Sequence, residues 1–328
     1  MTILITGAAG YVGSHTAYAM AEAGYDLVAV DNLTTGFRAA LPDRIRFYQG
    51  DIRDKFFMNH LFEKERIDGV IHFAAYSQVG ESMNDPLKYY ENNVYGTTVL
   101  LDSMLAHDVK RIVFSSTAAV YGEPECIPTR ETDALNPTNC YGDTKLTMEK
   151  MMEWVSRAHG LNYVALRYFN ACGAHPNADI GECHQPETHL IPLVLQAAAG
   201  IRSGISILGD SYNTPDGSCI RDYVHVCDLA QAHILALEYL MQGHESTVFN
   251  LGSGSGYSVK EIIAAAQRIT GCDFPVTIQD RRVGDPAMLV ASSSKAASVL
   301  GWQLKYSDLD TIISTAWNWH KSHPHGYL

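Results

Sequence analysis

The chain has 328 residues, of which 46% are hydrophobic and 18% charged, and its formal charge is −12. This composition supports a large core and about two domains, and it excludes a disordered chain. The acidic balance argues against nucleic acid as a partner, because a phosphate backbone needs a basic surface. No apolar run approaches the ~18 residues that predict a membrane span. The scattered cysteines, 7 in number, favour reduced thiols in a cytoplasmic protein over a disulfide framework.

Apolar, β-rich runs alternate with helical patterns through the first half of the chain. The predicted strands are Thr2–Thr6, Asp26–Val30, Arg46–Gln49, Gly69–Phe73, Arg111–Ser115 and Asn162–Arg167. The predicted helices between them are Gly13–Ala23, Asp54–Glu65, Val94–His107 and Thr144–His159. This alternation predicts an α/β fold built on a Rossmann-type, doubly wound parallel sheet.

The second half of the chain differs from the first in residue composition and in the length of its predicted elements. The segment Ala171–Glu187 is rich in Gly, Pro, Asn and Asp, which predicts a long functional loop. Shorter predicted elements follow, namely Leu190–Ala199, Ile205–Leu208, Asp228–Met241, Ser258–Thr270 and Leu309–His320. We therefore expect a first domain over residues 1–170 and a second, smaller α/β domain over 171–328. Part of the chain near 220–250 is expected to return and pack on the first domain.

Three spaced glycines, Gly7, Gly10 and Gly13, directly follow the first predicted strand and open a helix. The first permits a tight turn, the second a close approach to a pyrophosphate, and the third close packing of helix on strand. The helix N-terminus offers unpaired N–H groups to the phosphates. The strand before and the helix after distinguish this motif from a purely structural turn and predict a dinucleotide site.

The second predicted strand leads into Asp31. An acid at this place accepts hydrogen bonds from the ribose hydroxyls of the adenosine and repels a 2′-phosphate, so NAD is favoured over NADP. The sequence Gly50-Asp51-Ile52 follows the third strand and could hold the adenine end in the same way.

Tyr141 has a lysine, Lys145, four residues later, and on a helix these two positions share one face. A nearby ammonium and a cationic nicotinamide ring together favour the phenolate and bring the pKa of the tyrosine toward neutrality, which makes it a usable base. Thr117, after a strand that ends in Phe114-Ser115-Ser116, could pass a proton between a substrate hydroxyl and Tyr141. The combination predicts catalytic roles for Tyr141, Lys145 and Thr117.

The glycine motif, the Tyr141–Lys145 pair and Thr117 resemble the extended short-chain dehydrogenase/reductase family, and in particular its UDP-glucose 4-epimerase (UDP-galactose 4-epimerase) branch. The resemblance covers essentially the whole chain. It is carried by Ile71-His72-Phe73-Ala74-Ala75, Val79-Gly80-Glu81-Ser82, Tyr90-Glu91-Asn92-Asn93-Val94, Arg167-Tyr168-Phe169-Asn170, Asp216-Gly217, Arg221-Asp222-Tyr223-Val224-His225-Val226 and Asn250-Leu251-Gly252. It implies an NAD-binding first domain, a UDP-sugar-binding second domain, and epimerisation at C4 through a 4-keto intermediate.

The resemblance also implies roles for individual residues. The expected NAD contacts are Gly7, Gly10, Tyr11, Val12, Gly13, Asp31, Asn32, Asp51, Ile52, Phe73, Ala74, Asn92, Ser115, Tyr141, Lys145 and Tyr168. The expected UDP-sugar contacts are Thr117, Asn170, His189, Leu190, Ser206, Ile207, Leu208, Arg221, Tyr223, Arg282, Asp285 and Leu289. Two arginines suit a diphosphate, because a guanidinium forms paired bonds to its oxygens. A homodimer is implied as well, with helices near Val94–His107 and Thr144–His159 pairing across the interface.

Three positions depart from the family pattern. Thr117 stands where many members carry serine and keeps the hydroxyl, Ser77 replaces a frequent lysine, and His189 replaces an asparagine. Cys183-His184, with His175 and His189 nearby, raises the hypothesis of a metal site, but the spacing of these residues matches no zinc pattern. Because the family also needs no metal, we expect none.

Several alternatives remain open. A related enzyme acting on UDP-N-acetylglucosamine or on a UDP-uronate or UDP-pentose would share the motifs. A 4,6-dehydratase is disfavoured, because Ala118-Ala119 occupy the places of its Asp-Glu acid–base pair. A non-catalytic NAD-sensing module is disfavoured by the presence of both Tyr141 and Lys145. In the resembling family a tyrosine at the place of Leu289 narrows the sugar pocket, so leucine predicts that the N-acetylhexosamine pair is also accepted.

Overall fold

The computed structural model describes residues 1–177, 179–281 and 285–327. Its strands are β1 Thr2–Thr6, β2 Asp26–Asp31, β3 Arg46–Gln49, β4 Gly69–His72, β5 Arg111–Ser115, β6 Asn162–Tyr168, β7 Asn170–Cys172, β8 Ile205–Leu208, β9 Ile220–Arg221, β10 Tyr223–His225, β11 Thr247–Leu251, β12 Tyr257–Ser258, β13 Val276–Gln279 and β14 Met288–Leu289. The six strands predicted in the first half are present, with boundaries that differ by one residue at most.

The α-helices are α1 Tyr11–Glu22, α2 Lys55–Lys64, α3 Val79–Asn84, α4 Pro86–Tyr89, α5 Gly96–Ala106, α6 Cys140–His159, α7 Leu190–Ala198, α8 Val226–Met241, α9 Val259–Thr270, α10 Ser294–Leu300 and α11 Leu309–Ser322. Helix α6 begins four residues earlier than predicted, because the Asn139 side chain accepts a hydrogen bond from the Gly142 N–H at 2.8 Å and caps it. Across the described residues, none of these helices has the length and apolarity that a membrane span requires.

Seven parallel strands form the central sheet in the order β11-β6-β5-β4-β1-β2-β3. The order runs outward in both directions from the β1–β4 pair, so the fold is the predicted doubly wound α/β type. Helices α1 and α8 cover one face, where Met20 packs in the same core as Leu229 and Leu240. Helices α2, α5 and α6 cover the other face and contribute Leu61, Leu100 and Met152 to a second core. Ligands in such sheets bind where the strand order reverses, here between β1 and β4.

The seventh strand, β11, was not predicted. It pairs with β6 in parallel, with Val248 opposite Ala165 and Leu251 opposite Tyr168. Its sequence, Thr247–Leu251, is short, and only its place beside β6 and under α8 makes it a buried strand. Residues 226–251 therefore pack on the central sheet, as the expected return of the chain near 220–250 requires. The division of the chain at residue 170 stays a prediction.

The remaining strands are short and lie outside the central sheet. Strands β7 and β10 pair in parallel, β9 lies between β12 and β14, and β8 pairs with β13. Helices α7, α9 and α11 pack around a third core that includes Val194, Ile262 and Ile312. Between Cys172 and Leu190 the described residues form neither helix nor strand, in agreement with the predicted loop.

Candidate active site

The glycine turn joins β1 to α1 at the point where the strand order reverses. Gly7 has a φ of +68°, and a Cβ there would lie 2.5 Å from the Ala74 backbone nitrogen. A Cβ on Gly13 would lie 2.2 Å from the Gly7 carbonyl oxygen. Both glycines are therefore required by packing, as the sequence motif predicts.

Gly10 has a different environment. The nearest atom to a Cβ placed on Gly10 is the Gly7 carbonyl oxygen at 3.4 Å, so the protein itself has room for a side chain. Gly10 is also the N-cap of α1 and provides no capping side chain. The first N–H groups of α1, on Tyr11 and Val12, thus face a surface that a side chain would cover. This cradle fits a pyrophosphate.

Asp31 lies at the end of β2, beside the glycine turn. Its carboxylate accepts hydrogen bonds from the Ala9 N–H at 2.9 Å and the Leu33 N–H at 2.8 Å. Burial raises the pKa of this carboxyl, and the two backbone donors oppose that rise. Each carboxylate oxygen accepts further bonds, so Asp31 can both fix the turn and bind a ribose diol.

A second carboxylate, Asp51, follows β3. Arg53 forms two side-chain bonds to it, at 2.9 and 2.8 Å, and Asn32 donates a third at 3.0 Å. The bond to Arg53 is the main reason that the pKa of Asp51 falls to about 2. Ile52 is buried next to it. The predicted adenine-end residues Asn32, Asp51 and Ile52 therefore form one group at the carboxyl edge of the sheet.

The predicted contacts beyond β4 lie on the other side of the switch point. The N–H groups of Phe73 and Ala74 both donate to the Thr6 carbonyl oxygen, at 2.9 and 3.1 Å, which holds them against the glycine turn. Asn92 is buried in a π-helical turn over Tyr90–Tyr95 and donates to the Asn93 side chain at 3.0 Å. π-Helical turns are frequent at functional sites.

Tyr141 and Lys145 lie one turn apart on α6, and both face the end of β5. The Lys145 Nζ donates to the Ser115 carbonyl oxygen at 2.7 Å and lies 6.0 Å from the centre of the Tyr141 ring. The Thr117 hydroxyl lies near the Tyr141 phenol and opposes the rise of its pKa. The structure thus brings the three predicted catalytic side chains together.

Burial dominates the electrostatics of these two groups. It raises the pKa of Tyr141 to about 12, while the Thr117 hydrogen bond lowers it. It also lowers the pKa of Lys145 to about 7, against the opposing charge of Glu149. The protein groups alone therefore do not bring the phenol near neutrality. The reason is desolvation, which disfavours the charged form of each group.

Ser115 and Tyr168 lie side by side beneath Lys145. Their hydroxyl groups are 2.6 Å apart and hydrogen-bonded, and both residues are buried. These two predicted NAD contacts occupy the ends of the neighbouring strands β5 and β6, next to the Lys145 ammonium.

A buried polar network behind α6 was not predicted from the sequence. Glu149 accepts bonds from the Ser116 hydroxyl at 2.5 Å and from Arg167 Nε at 3.0 Å. Arg167 also donates to the Tyr121 hydroxyl oxygen at 2.8 Å. That hydroxyl in turn donates to the Asn250 side-chain oxygen at 2.7 Å. The available signal was the four-residue spacing of Lys145 and Glu149, which places both on one face of the helix.

The predicted substrate residues lie mainly on the short strands. Asn170 pairs with Tyr223 in register, and its side chain donates to the Asp222 carbonyl oxygen at 2.8 Å. Leu289 lies opposite Arg221 in the β14–β9 pair, and Arg221 forms an ion pair with Asp285. Arg282, also predicted, lies outside the described residues.

Other predicted substrate residues lie apart from this group. Ser206, Ile207 and Leu208 form β8, which pairs with β13. The His189 imidazole contacts Glu182 and Glu187, and Leu190 begins α7 directly after it. None of these contacts connects β8 or His189 to the Arg221–Leu289 pair.

A model of the NAD dependent epimerase/dehydratase family matches residues 3–252 of the chain. The chain belongs to this family. The UDP-glucose 4-epimerase of Lacticaseibacillus casei is 56% identical over 327 residues, which cover 100% of this chain and 99% of that protein. The UDP-glucose 4-epimerase of Brucella ovis, solved in complex with NAD, is 49% identical with a TM-score of 0.94, over 96% of this chain and 97% of that one. The enzyme of Bifidobacterium longum, solved with NAD⁺ and UDP, is 38% identical with a TM-score of 0.93, over 99% and 100%.

Within the epimerase/dehydratase family, the residues after Thr117 bear on the type of reaction. Ala118 and Ala119 open a short 3₁₀ turn over Ala118–Tyr121, and the Ala119 N–H donates to the Thr117 hydroxyl oxygen at 3.1 Å. Neither alanine side chain can move a proton. The described site therefore lacks an acid pair at the two positions where a dehydratase would need it.

Proposed function

We propose that the protein interconverts UDP-glucose and UDP-galactose by NAD-dependent epimerisation at C4, through a transient 4-keto intermediate. The observation that carries this proposal is the convergence of Tyr141, Thr117 and Lys145 beside the glycine turn. A single acid–base tyrosine next to a dinucleotide cradle suits reversible oxidation of a hydroxyl. The UDP-glucose 4-epimerases at 56% identity support the same substrate.

NAD, when bound, supplies the acceptor and donor of hydride. On the protein side, Gly7, Gly10 and Gly13 shape the pyrophosphate cradle, and the N–H groups of Tyr11 and Val12 bind its oxygens. The Asp31 carboxylate binds the ribose diol of the adenosine and leaves no room for a 2′-phosphate. The other expected contacts are Asn32, Asp51, Ile52, Phe73, Ala74, Asn92, Ser115 and Tyr168.

Tyr141 takes the proton of the sugar 4-hydroxyl, directly or through Thr117, and later returns it. The Lys145 side chain lies beside the phenol, is oriented by the Ser115 carbonyl oxygen, and favours the phenolate in its protonated form. Since burial holds the pKa of Tyr141 at about 12 even with the opposing contribution of Thr117, the phenolate needs additional positive charge nearby. Oxidised NAD bound in the cradle would supply that charge, so Tyr141 would remove the proton in step with oxidation of the sugar.

The substrate side holds the nucleotide while the sugar changes face. Arg221 can form paired bonds to the diphosphate, and Asp285 fixes the guanidinium in place. Asn170 and Tyr223 neighbour Arg221 on adjacent short strands. Tethering through UDP prevents escape of the 4-keto sugar, which can then turn and accept hydride on the opposite face.

The test is incubation of purified protein with UDP-galactose and no added dinucleotide. We expect UDP-glucose to form, because NAD is regenerated in each turnover and stays bound. Denaturation of the same sample followed by mass analysis should release NAD. Recovery of NADP as the main species, or absence of conversion even with added NAD, would contradict the proposal. Formation of a 4-keto-6-deoxy product would favour a dehydratase instead.

We also propose that the protein is a cytoplasmic homodimer. Six of the cysteines (Cys126, Cys140, Cys172, Cys183, Cys227 and Cys272) are free thiols, which suits a reducing compartment. Tyr95 and Trp154, adjacent to α5 and on α6, are 50% and 66% exposed, and such apolar side chains suit burial between two copies. Light scattering coupled to size-exclusion chromatography tests this, and a monomeric mass at micromolar concentration would contradict it.

A further inference from the structure

Four metal-ligating side chains meet in the loop that precedes α7. They are Glu182, His184, Glu187 and His189, which we call the loop cluster, and their ligand atoms all lie within 4.8 Å of one another. The His189 Nδ1 lies 3.0 Å from both Glu182 Oε1 and Glu187 Oε1. The His184 Nδ1 lies 3.2 Å from Glu182 Oε1 and 3.5 Å from Glu187 Oε2.

These histidine–carboxylate separations are close to those between neighbouring ligand atoms in a small coordination shell. With metal–nitrogen and metal–oxygen distances of about 2.0–2.2 Å, neighbouring ligand atoms in a tetrahedral zinc site lie about 3.3–3.6 Å apart. The four histidine–carboxylate separations in the loop cluster, 3.0 to 3.5 Å, are close to this range, and a bound ion would require the Glu187 carboxylate to present one oxygen where it now uses Oε1 toward His189 and Oε2 toward His184. The two imidazoles already present the same type of nitrogen, Nδ1, toward both carboxylates.

The two carboxylates of the loop cluster are buried, and among the described residues their charged partners are the two imidazoles, while Glu187 also accepts the N–H groups of Thr188 and His189. The Glu182 and Glu187 side chains are only 6% and 7% exposed. The His184 Nδ1 is buried without a hydrogen-bond partner of acceptable geometry, although it points toward both carboxylates. A divalent cation would satisfy this nitrogen and neutralise both carboxylates at once, which is how buried charges are normally stabilised.

We propose that the loop cluster binds one divalent transition-metal ion, with Zn²⁺ as its first choice. Two imidazoles favour such an ion over Mg²⁺ and Ca²⁺, which prefer ligand sets made of oxygen alone. Four protein ligands fill a tetrahedral shell, so the ion has a structural role. This differs from the expectation of no metal, because two of the ligands are glutamates that the sequence analysis did not consider.

The ion would hold the loop in a fixed position between the glycine turn and the start of α7. The His184 ring stacks edge-on against Tyr11, the first residue of α1, with ring centres 6.2 Å apart. Tyr11 in turn donates to the Gly173 carbonyl oxygen at 2.5 Å. At the other end of the loop, His189 is the N-cap residue of α7. Metal binding would therefore fix the glycine turn, the loop and the start of α7 relative to one another.

The neighbouring Cys183 supplies a matched control. It stands between two members of the loop cluster in sequence, but its Sγ faces Gly326, where a Cβ would lie 2.3 Å away. His175, in the same loop, packs instead against the Tyr18 ring with centres 4.6 Å apart. Neither side chain belongs to the loop cluster, although both residue types bind zinc readily.

The experiment measures metal content in protein prepared without a histidine tag. Wild type, Glu187→Gln and His184→Gln are compared with the controls Cys183→Ser and His175→Gln, after dialysis against Zn²⁺ and then against metal-free buffer. We expect about one zinc per chain in wild type and both controls. We expect affinity to fall in the two loop-cluster variants by more than the ~10–100-fold that loss of an outer partner of a ligand costs.

Co²⁺ provides a second readout that does not depend on activity. Wild type loaded with Co²⁺ should show the strong visible absorption of a tetrahedral site, and Glu187→Gln should not. A chelator should lower the Tm of wild type and leave that of Glu187→Gln unchanged. Failure of wild type to retain Zn²⁺ or to show the Co²⁺ bands would overturn the proposal and leave the loop cluster as an ion-pair network. Equal metal loss in the Cys183→Ser control would overturn it as well. Because no readout uses turnover, the result is independent of the proposed epimerase activity.

Discussion

The cofactor side and the substrate side of the active site are constructed in different ways. On the cofactor side, the residues follow the ends of β1, β2, β4 and β5, which are neighbours in one continuous sheet. On the substrate side, Arg221 and Leu289 are held by strands of two residues each. Asn170 and Tyr223 come from strands of three residues. The long sheet fixes the positions of its loops rigidly, whereas short strand pairs leave the surrounding pocket free to vary.

This difference implies that the chemistry and the cofactor site tolerate little change, while the sugar pocket can be altered without loss of the fold. The charged side chains on the two sides also differ in their burial. Lys145, Glu149 and Arg167 are almost fully buried beneath the sheet edge, at 3%, 6% and 3% exposure. The Arg221–Asp285 pair on the substrate side retains 14% and 24% of its side-chain exposure. Five substitutions test the comparison.

The largest effect is expected from Tyr141→Phe on the cofactor side. Because the acid–base group is lost while every NAD contact made by the backbone stays, epimerisation should fall ~100- to 10,000-fold with NAD still bound. The measurement is initial rate together with dinucleotide content. Tyr239→Phe, on α8 and without a hydrogen bond from its hydroxyl in the described structure, is the matched control and should remain fully active. Near wild-type activity of Tyr141→Phe would remove this residue from the mechanism.

Gly13→Ala tests whether the glycine turn is as rigid as its packing implies. The added Cβ would meet the Gly7 carbonyl oxygen at 2.2 Å, so the turn must shift, at a cost of about 1–3 kcal/mol. We expect a lower Tm and loss of bound NAD.

Gly10→Ala tests NAD binding separately from the stability of the fold. Its Cβ has no protein atom nearer than 3.4 Å, so the Tm of the cofactor-free protein should hold while NAD affinity falls. Gly80→Ala, with nothing within 4 Å of the added atom, is the control for both. Equal NAD content in all three variants would contradict the proposed cradle.

Leu289→Tyr tests whether the sugar pocket on the substrate side can be altered without loss of the fold. Leu289 is half-buried and lies opposite Arg221, so a larger ring extends the wall of the proposed sugar pocket. We expect wild type to interconvert UDP-N-acetylglucosamine and UDP-N-acetylgalactosamine as well as UDP-glucose and UDP-galactose. The substitution should selectively remove the N-acetyl activity, since overfilling costs about 1–3 kcal/mol. Leu289→Ile, which conserves volume, should keep both activities. Absence of N-acetyl activity in wild type would refute the role assigned to Leu289.

Lys145→Met is expected to shift a pH profile in addition to lowering the rate. Below the Lys145 pKa of about 7 the ammonium, 6.0 Å from the centre of the Tyr141 ring, favours the phenolate, so its loss should lower activity chiefly in that range and move maximal activity to higher pH. A Coulomb energy at an effective dielectric constant of ~20 corresponds to a shift of about 1–2 pH units. Lys150→Met, at an exposed position of the same helix, is the control. An unchanged optimum would show that Lys145 acts only through orientation.

The sequence by itself determined the features that depend on neighbours in the chain. The alternation of apolar strands and helices predicted the parallel sheet, and the spacing of Gly7, Gly10 and Gly13 predicted the turn. The spacing of Tyr141 and Lys145 placed them on one helical face. These signals are readable because helix and strand periodicities are local properties.

Only the tertiary structure decided which distant segments meet. Strand β11 joins β6, Arg221 lies opposite Leu289, and Glu149 pairs with Arg167. The partner of a short apolar run or of a single charged residue cannot be predicted from its local sequence, since the packing of the whole chain determines which segments meet. The loop cluster shows the same limit at short range. Its four ligands lie within eight consecutive residues, yet only the folded loop turns Glu182 and Glu187 toward the two imidazoles.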